Sequence, residues 1–443
     1  ARVLMGDVEQ LLFDTVLQLF REAGLLKARG KQRSDSTHIL AAIRHLHRLE
    51  NVGETLRHAL NRLAVVAPNW LRQHTDPAWV ERYGRRVEQY RLPKEETQRQ
   101  ALATAIGQDG YCLLEACLAP DAPAVVRGEP AVEILRRVWI QQYYRCDDPT
   151  ALLVRQRTTA EQPPSAQIIC SPYDVEARYK TKRDTNWIGY KAHITETCDD
   201  DAPNLITQVA TTPATTADGD LTATIQADLA AKDLLPSEHY LDIGYVDAQV
   251  LVASQAEHGV SVIGPVITDP AWQAHTPNGI TIAQFGLDWE AQQAFCPTGK
   301  VSRSWSPAKD AYGNEMVVIR FHADDCHACP RQADCTKAKS GARTISIRPR
   351  EQYEAIQEAR ARQQTVEFQA QYARRAGVEG TFNQANHHSD LRHARYIGLA
   401  KVHLQHLLTA IALNLVRAIA WLTEVPRAQT RTSAFAALMA ETA

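Results

Sequence analysis

Three acidic residues that are far apart in the chain stand where a carboxylate could bind a metal ion. Asp242 follows the short apolar run in "HYLDIGY", Asp35 lies in "GKQRSDSTHI", and Glu379 lies in "RRAGVEGTFNQ". Hard divalent cations such as Mg²⁺ prefer oxygen ligands and keep several waters, so a few well-placed carboxylates suffice to hold them. Taken singly, Asp242 could end a strand, Asp35 could cap a helix and Glu379 could be a solvated surface residue. Taken together, they favour a shared metal site.

The surroundings of Glu379 predict a helix that closely approaches another part of the protein. Tyr372, Arg375 and Glu379 follow one another at intervals of three and four residues, so Arg375 and Glu379 lie one helical turn apart. Gly377 and Gly380 would allow close approach of the backbone, although each weakens a helix by about 1 kcal/mol. We therefore expect Glu379 on a helix face that is turned toward the edge of a sheet.

The elements that must position these acids can be predicted from hydrophobic spacing. Residues 1–146 are mostly helical by this criterion, and Ser36 or Thr37 is available as the N-cap of a helix that begins near Thr37. Two runs rich in β-branched and aromatic residues, "GYKAHITET" and "NLITQVATT", flank the acidic turn "CDDDAP". This pattern predicts an antiparallel hairpin.

Strands and helices alternate after the hairpin. A helix over 218–232, the strand "HYLDIGY", a helix from about residue 247 and the strand "VSVIGPV" follow in order. This order predicts an α/β fold, with a mixed sheet and helices packed on it. Asp242 would then emerge at the edge where open α/β sheets hold their sites. Residues 268–346 lack this rhythm, and residues 351–422 are helical again, with a break near "NHHSD".

A group of cysteines could bind a second kind of metal. Cys326, Cys329 and Cys335 lie in "CHACPRQADC", after Cys296 in "FCPTGK", and His327 is a substitute ligand. Four such ligands suit a tetrahedral, structural Zn²⁺ with no open position for catalysis. Because the spacings differ from those of a standard zinc ribbon, simple reduced cysteines are the alternative.

Composition limits the classes of function. The 443 residues carry a net charge of −2, so a nucleic-acid partner must be met by local basic patches. Residues 343–401 form one such segment, with ten Lys or Arg and six Asp or Glu. The cysteine count of nine is odd and no signal-peptide pattern opens the chain, which predicts a reducing, cytoplasmic setting.

Residues 404–422 are long and apolar enough to be considered as a membrane span. They include His406, Asn414 and Arg417, whose burial in lipid would be costly. We therefore expect a buried amphipathic helix and no membrane partner.

The motifs around the acids resemble those of insertion-sequence DDE transposases. Tyr372, Arg375 and Glu379 resemble the family's Y-x-x-R-x-x-x-E signature, "DIGY" its second-aspartate motif and "RSDST" its first. The strings "WIGYKAHITET" and "RYIGLAKVHLQHLLTAIALNLVRAIAWL" resemble the group with an N-terminal helical domain ahead of the core, so the resemblance spans about residues 24–422. This chain has Asn386 where the family often has a lysine or arginine.

The resemblance implies a ribonuclease H-like core, a mixed sheet flanked by helices. Catalytic Asp35, Asp242 and Glu379 would hold two Mg²⁺ or Mn²⁺ ions, with Asp174 in "SPYDVEARY" as the alternative first acid. The implied activity is phosphodiester hydrolysis and strand transfer on the element's terminal inverted repeats and target DNA. We expect a homodimer in the active complex, in the bacterial cytoplasm with the nucleoid. The expected DNA-contacting residues are Tyr372, Arg375, Arg392, Arg395 and Lys401.

The resemblance also suggests a division of the chain. The expected segments are 1–30, a remnant of an N-terminal helical region; 31–38, the first core strand; 39–165, a helical insertion; 166–267, the core; 268–346, a cysteine-rich insertion; 347–424, the glutamate helix and C-terminal helices; and 425–443, a tail. Because the chain begins without methionine, inside a helical pattern, we expect an upstream part to be missing. The alternative functions are an inactive, truncated DNA-binding derivative and a two-metal nuclease without joining activity.

Overall fold

The computed structural model describes residues 8–148, 151–426 and 438. The helices are α1 (Val8–Glu22), α2 (Arg48–Val66), α3 (Pro68–His74), α4 (Pro77–Tyr83), α5 (Glu96–Leu118), α6 (Ala124–Arg127), α7 (Pro130–Gln142), α8 (Thr222–Ala231), α9 (Ala248–His258), α10 (Ala323–His327), α11 (Gln332–Cys335), α12 (Arg350–Arg362), α13 (Val366–Tyr372), α14 (Gly377–Ser389) and α15 (Leu399–Leu422). The strands are β1 (Lys31–Leu40), β2 (Tyr143–Asp148), β3 (Ala151–Gln156), β4 (Arg178–Lys182), β5 (Thr185–Thr197), β6 (Ile206–Pro213), β7 (Glu238–Leu241), β8 (Ser261–Ile263), β9 (Gly286–Asp288), β10 (Gln293–Phe295), β11 (Ser304–Lys309), β12 (Glu315–Arg320) and β13 (Thr344–Ile347).

A mixed sheet lies at the centre of the fold. Its strand order is β4-β5-β1-β7-β8, and β6 also pairs with β5. β5 is antiparallel to β1 and β6, whereas β7 is parallel to both β1 and β8. Helices α1, α8, α14 and α15 bury apolar residues in the same core as this sheet. The predicted α/β class and the predicted hairpin, now β5 and β6, are both confirmed.

The helix predicted to begin near Thr37 is wrong, because this stretch forms β1. Residues 31–40 pair with β5 on one side, and residues 31–34 pair with β7 on the other. Neither Ser36 nor Thr37 is an N-cap, and α2 begins only at Arg48. Apolar spacing in "STHIL" suits either element, and the two neighbouring strands decide in favour of the strand.

The long segment between β1 and β4 builds a core of its own, mostly from helices. α2 buries Val52, Leu56, Ala59 and Leu63 at spacings of three and four residues. These side chains belong to one apolar cluster with fully buried residues of α5 and α7, including Trp139. Residues 8–146 are mostly helical, as predicted, with β1 and the start of β2 as the strands within them.

The C-terminal helix α15 packs against the sheet. By length and composition it could cross a membrane, but half of its most apolar 18-residue window is buried within the protein. Fully buried Asn414 accepts a hydrogen bond from the N–H of Ile206 and donates one to its carbonyl, both at 2.7 Å. These contacts with β6 are those of a core helix, as predicted.

Candidate active site

The register between β1 and β7 brings Asp35 and Asp242 together. The parallel ladder ends where Ser34 pairs with Leu241, so Asp35 and Asp242 occupy the next position on each chain. Residues at equal register in neighbouring strands project from the same face of a sheet. The two carboxylates are therefore neighbours at the carboxyl end of β7.

Asp35 lies in the middle of β1. β1 continues to Leu40 and pairs with β5 along this stretch, where Asp35 lies opposite Ile194. Only the pairing of β1 with β7 ends near Asp35. Because β7 is short and ends at Leu241, the side of β1 that pairs with β7 becomes open beside Asp35.

Arg375 connects all three predicted acids. Its Nη1 lies 3.2 Å from the Glu379 carboxylate, and its Nη2 lies 3.9 Å from that of Asp242. The same Nη2 donates a hydrogen bond to Asp35. The Asp35 and Arg375 side chains are only 14 and 15 per cent exposed, whereas that of Glu379 is 68 per cent exposed. The acids therefore surround one guanidinium, with Asp35 innermost and Glu379 on the solvent side.

Burial changes the proton affinity of Asp35. Burial raises the pKa of Asp35 to about 6, and the positive charge of Arg375 only partly offsets this effect. An ionised Asp35 is thus costly to keep without a stronger cation nearby.

This cost predicts a stability difference with a defined pH dependence. The pKa of Asp35 in the folded protein is above the ordinary value of 3.8. The free-energy cost of ionising the buried carboxyl therefore appears above pH 3.8 and reaches its full value above about pH 6. Without divalent metal, Asp35→Asn is expected to raise the free energy of unfolding at pH 8 by up to about 3 kcal/mol, and by about half as much at pH 5. Urea unfolding in EDTA at both pH values measures this; a variant less stable than the wild type at pH 8 would contradict it.

A buried charge network holds the helix that carries Glu379. Arg33 on β1 donates to the fully buried Glu196 on β5 at 2.8 Å and to the carbonyl of Arg374 at 2.7 Å. Thr381 on α14 and Arg417 on α15 both donate to the other oxygen of Glu196, at 2.6 and 2.7 Å. The network ties the sheet to the chain five residues before Glu379, at Arg374, and two residues after it, at Thr381.

Of the two glycines beside Glu379, only Gly377 lets another side chain lie close to the backbone of α14. A Cβ at Gly377 would lie 2.0 Å from Nη1 of Arg33, whereas a Cβ at Gly380 would meet nothing within 4 Å. The sequence prediction is wrong for Gly380, which faces open space. Gly377 leaves room for the guanidinium that binds Glu196.

Alanine substitutions at the two glycines are therefore expected to change the free energy of unfolding in opposite directions. Gly377→Ala is expected to lower the free energy of unfolding by about 2 kcal/mol, because it displaces the buried Arg33 from its partners. Gly380→Ala is expected to raise it by about 0.5–1 kcal/mol, since alanine favours the helix interior. Urea denaturation of both variants measures the difference. Equal effects of the two substitutions would show that Arg33 is free to move aside.

The donor set suits a hard cation, although the side chains do not enclose a metal position. Within residues 8–148 and 151–426, no group of three or more His, Cys, Asp or Glu side chains is arranged to hold a metal ion. Instead, three carboxylates converge on one guanidinium whose Nε has no hydrogen-bond partner. Carboxylate oxygens gathered around a positive charge are the ligands that Mg²⁺ and Mn²⁺ prefer.

Comparison with known families gives one match, over the part of the chain that contains Glu379. Residues 295–419 match a family model described as "Transposase DDE domain". This segment is similar to a DDE transposase domain. The matched segment is less than a third of the chain; it includes Arg375 and Glu379, whereas Asp35 and Asp242 lie before it. Searches of curated proteins and of solved structures found no significant match.

Asp174, the alternative first acid, does not contact Arg375. It is buried, and its carboxylate accepts hydrogen bonds from the Tyr190 hydroxyl at 2.6 Å and from the N–H groups of Glu176 and Ala177. It also accepts from the N–H of Gly398 at 3.4 Å. These are the contacts of an acid that fixes turns, and it is Asp35 that contacts Arg375.

Of the five residues predicted to contact DNA, Tyr372 and Arg375 are partly buried and the other three are on the surface. Tyr372 stacks on Phe368 with a ring separation of 5.7 Å, and burial raises the pKa of its hydroxyl to about 12. Arg392, Arg395 and Lys401 are exposed.

The "LRHARY" segment lies beside the end of β1. The N–H of Leu40 donates to the carbonyl of Arg392 at 2.8 Å, and the N–H of Ala394 donates to the carbonyl of Leu40 at 2.9 Å. The sequence analysis did not identify Lys182, on the β4–β5 hairpin, as a candidate DNA-contacting residue. The pKa of His38 is lowered first by burial and then by the charges of Arg392, Lys182 and His393, so these cations share one edge.

Four cysteines of the matched segment line one cavity. Cys296, Cys326, Cys329 and Cys335 all border it, and none of them forms a disulfide. His327 does not border it, and its ring instead lies against Gly341, where a Cβ would be 1.8 Å from Nε2. The structure thus brings the cysteines together and leaves the substitute ligand out.

Proposed function

We propose that this chain is a metal-dependent DNA transposase whose catalytic acids are Asp35, Asp242 and Glu379. The observation that carries the proposal is the convergence of these carboxylates on Arg375 from β1, the end of β7 and α14. The match to a DDE transposase domain over the Glu379 helix supports it independently. When bound, two divalent ions would activate a water for attack on a phosphodiester and stabilise the departing 3′ oxygen.

The core is ribonuclease H-like in this proposal. The sheet supports it, because β6, β5 and β1 form the antiparallel part, and β7 and β8 extend it in parallel on the other side of β1. The helical segment after β1 and the strand-rich segment between β8 and α12 would then be insertions. Each has an apolar cluster separate from that of the sheet.

The residues of the site have distinct tasks in this reaction. Asp35 and Asp242, adjacent in register, would provide the fixed side of the metal site. Glu379, exposed on α14, would close it from the solvent side. Arg375 neutralises the acids, and if divalent ions took over that role its guanidinium would be able to bind a DNA phosphate through two hydrogen bonds.

DNA would lie along the edge that carries the exposed cations. Lys182, Arg392, Arg395 and Lys401 are exposed; Lys182 acts on both Asp35 and His38, and Arg392 acts on His38. Phosphate contacts of this kind give affinity that is independent of sequence and falls with salt. Because two element ends must be joined, we expect two copies of the chain in the DNA complex.

The test is an assay with Mg²⁺ and a supercoiled plasmid that carries the DNA flanking the gene. The proposal predicts strand cleavage and joined products with a short target duplication. Cleavage without joining would identify a two-metal nuclease, and salt-sensitive binding without cleavage would identify an inactive DNA-binding derivative. Either of these results would overturn the proposed function.

A further inference from the structure

The strand-rich segment before α12 contains a group of side chains that the proposed reaction does not use. β11, β12 and β13 form a small antiparallel sheet, and β9 pairs with β10 beside it. The buried apolar side chains of this segment form their own small cluster: Ile280, Phe285, Ala294, Ile319, Phe321, Ile345 and Ile347. α10 and α11 have five and four residues, too few for either helix to be stable alone. Something besides apolar packing must fix this part of the chain.

Four cysteines lie where such a fixing contact is needed. Cys296 follows β10 in a tight turn, Cys326 lies on α10 and Cys335 ends α11. Cys329 lies between the two short helices, and all four line the same cavity. The cysteines therefore face each other across the junction of the β9–β10 hairpin and the helical pair.

We propose that these four cysteines bind one structural Zn²⁺ ion. The proposal does not depend on the proposed function. Soft thiolates in a set of four are the ligands of closed, tetrahedral zinc sites, with Zn–S distances of about 2.3 Å. The sulfurs surround the cavity without yet forming a ligating arrangement, so ion binding must draw them inward.

Two groups beside the cavity would stabilise a bound thiolate, whereas burial raises the pKa of the Cys335 thiol. The N–H of Lys300 donates to Sγ of Cys296 at 3.3 Å, within the turn closed by the N–H of Cys296 and the carbonyl of Lys300 at 2.9 Å. Arg343 borders the cavity and donates to the carbonyl of Cys335 at 2.9 Å. Donors and positive charges of this kind offset the negative charge that four thiolates leave around a divalent ion.

Zinc would link parts of the segment that few other contacts join. The N–H of Ile280 donates to the carbonyl of Asp334 at 2.9 Å, and Gln273 donates to the carbonyl of Cys335 at 2.8 Å. A single ion held from the turn after β10, α10 and α11 would join both sides of the cavity at once. Metal binding would then contribute directly to folding of this segment.

The test is the metal content of the purified full chain, measured by mass spectrometry under reducing conditions. We expect one zinc per chain in the wild type and in Cys112→Ser, which removes an exposed cysteine of α5. We expect loss of zinc in Cys329→Ser and in Cys296→Ser. His327→Gln should retain zinc, because His327 does not border the cavity.

A second measurement covers the case in which a cysteine variant fails to fold. Co²⁺ replacing zinc in the wild type should give the intense visible bands of tetrahedral thiolate coordination. Absence of both zinc and this spectrum in the wild type would overturn the proposal. A disulfide among the four cysteines in freshly purified protein, or zinc retained after loss of Cys329, would also overturn it.

Discussion

Asp35→Asn and Asp242→Asn are each expected to lower the rate of Mg²⁺-dependent strand cleavage by at least about 100-fold. An amide keeps the size of the side chain but removes the charge that a divalent ion needs, and the loss falls on the transition state. Glu379→Gln should have a comparable effect. Quantitative plasmid nicking at fixed protein and salt concentration measures all three.

The matched control for these variants is Asp233→Asn. The Asp233 side chain is 80 per cent exposed, and its positive φ is one that asparagine tolerates well. This variant should cleave at the wild-type rate. Equal activity of Asp35→Asn and the control would remove Asp35 from the catalytic site. Salt-dependent DNA binding should be retained in all of the variants, which separates lost chemistry from lost binding.

Glu196→Ala is expected to lower the free energy of unfolding by about 3–5 kcal/mol. Glu196 is fully buried and accepts hydrogen bonds from Arg33, Arg417 and Thr381. Its removal leaves two guanidinium groups in the interior without their shared counter-charge, which is far more costly than losing an exposed ion pair. Urea denaturation with a linear extrapolation measures the change.

Glu354→Ala is the matched control for Glu196→Ala. Glu354 pairs with Arg350 one turn away on α12, and both side chains are more than half exposed. Its loss should cost about 0.5 kcal/mol or less. If both alanine variants lose the same small amount, the Glu196 network does not hold α14 in place. A large loss at Glu196 with little change at Glu354 supports its role in positioning the Glu379 helix.

Local patterns were sufficient to predict much of the architecture. The β-branched runs around "CDDDAP" predicted β5 and β6, and Asp247 does begin α9 as its N-cap. The break near "NHHSD" is present, since α14 ends at Ser389 and Asp390 adopts a left-handed conformation. These features depend on residues close together in sequence, which a single chain reveals.

Features that depend on distant partners could not be predicted. Glu196 meets Arg33 and Arg417 from 163 and 221 residues away, and nothing local to "ITET" reveals which cations will neutralise it. A glutamate in a run rich in β-branched and aromatic residues was still a usable signal of a buried ion pair. Local spacing favoured a helix from about Thr37, and only the family resemblance suggested a strand over residues 31–38, which pairing with β5 and β7 forms.

One element was missed although its signal was present. β11 and β12 form a hairpin around "DAYGNE", where Gly313 has a positive φ and the flanking runs are suited to strands. A glycine beside asparagine between two such runs is a hairpin signal. The arrangement of the acids was predicted only through the family resemblance, since spacing alone does not fix the register that places Asp35 beside Asp242.

The most direct test of the metal site is the anomalous scattering of Mn²⁺ in crystals of the full chain. The account predicts Mn²⁺ peaks in contact with the carboxylates of Asp35 and Asp242, with Glu379 turned toward them and the guanidinium of Arg375 withdrawn. Crystals soaked in Mn²⁺ that show no peak beside these acids, with Arg375 still bound to Asp35, would contradict it.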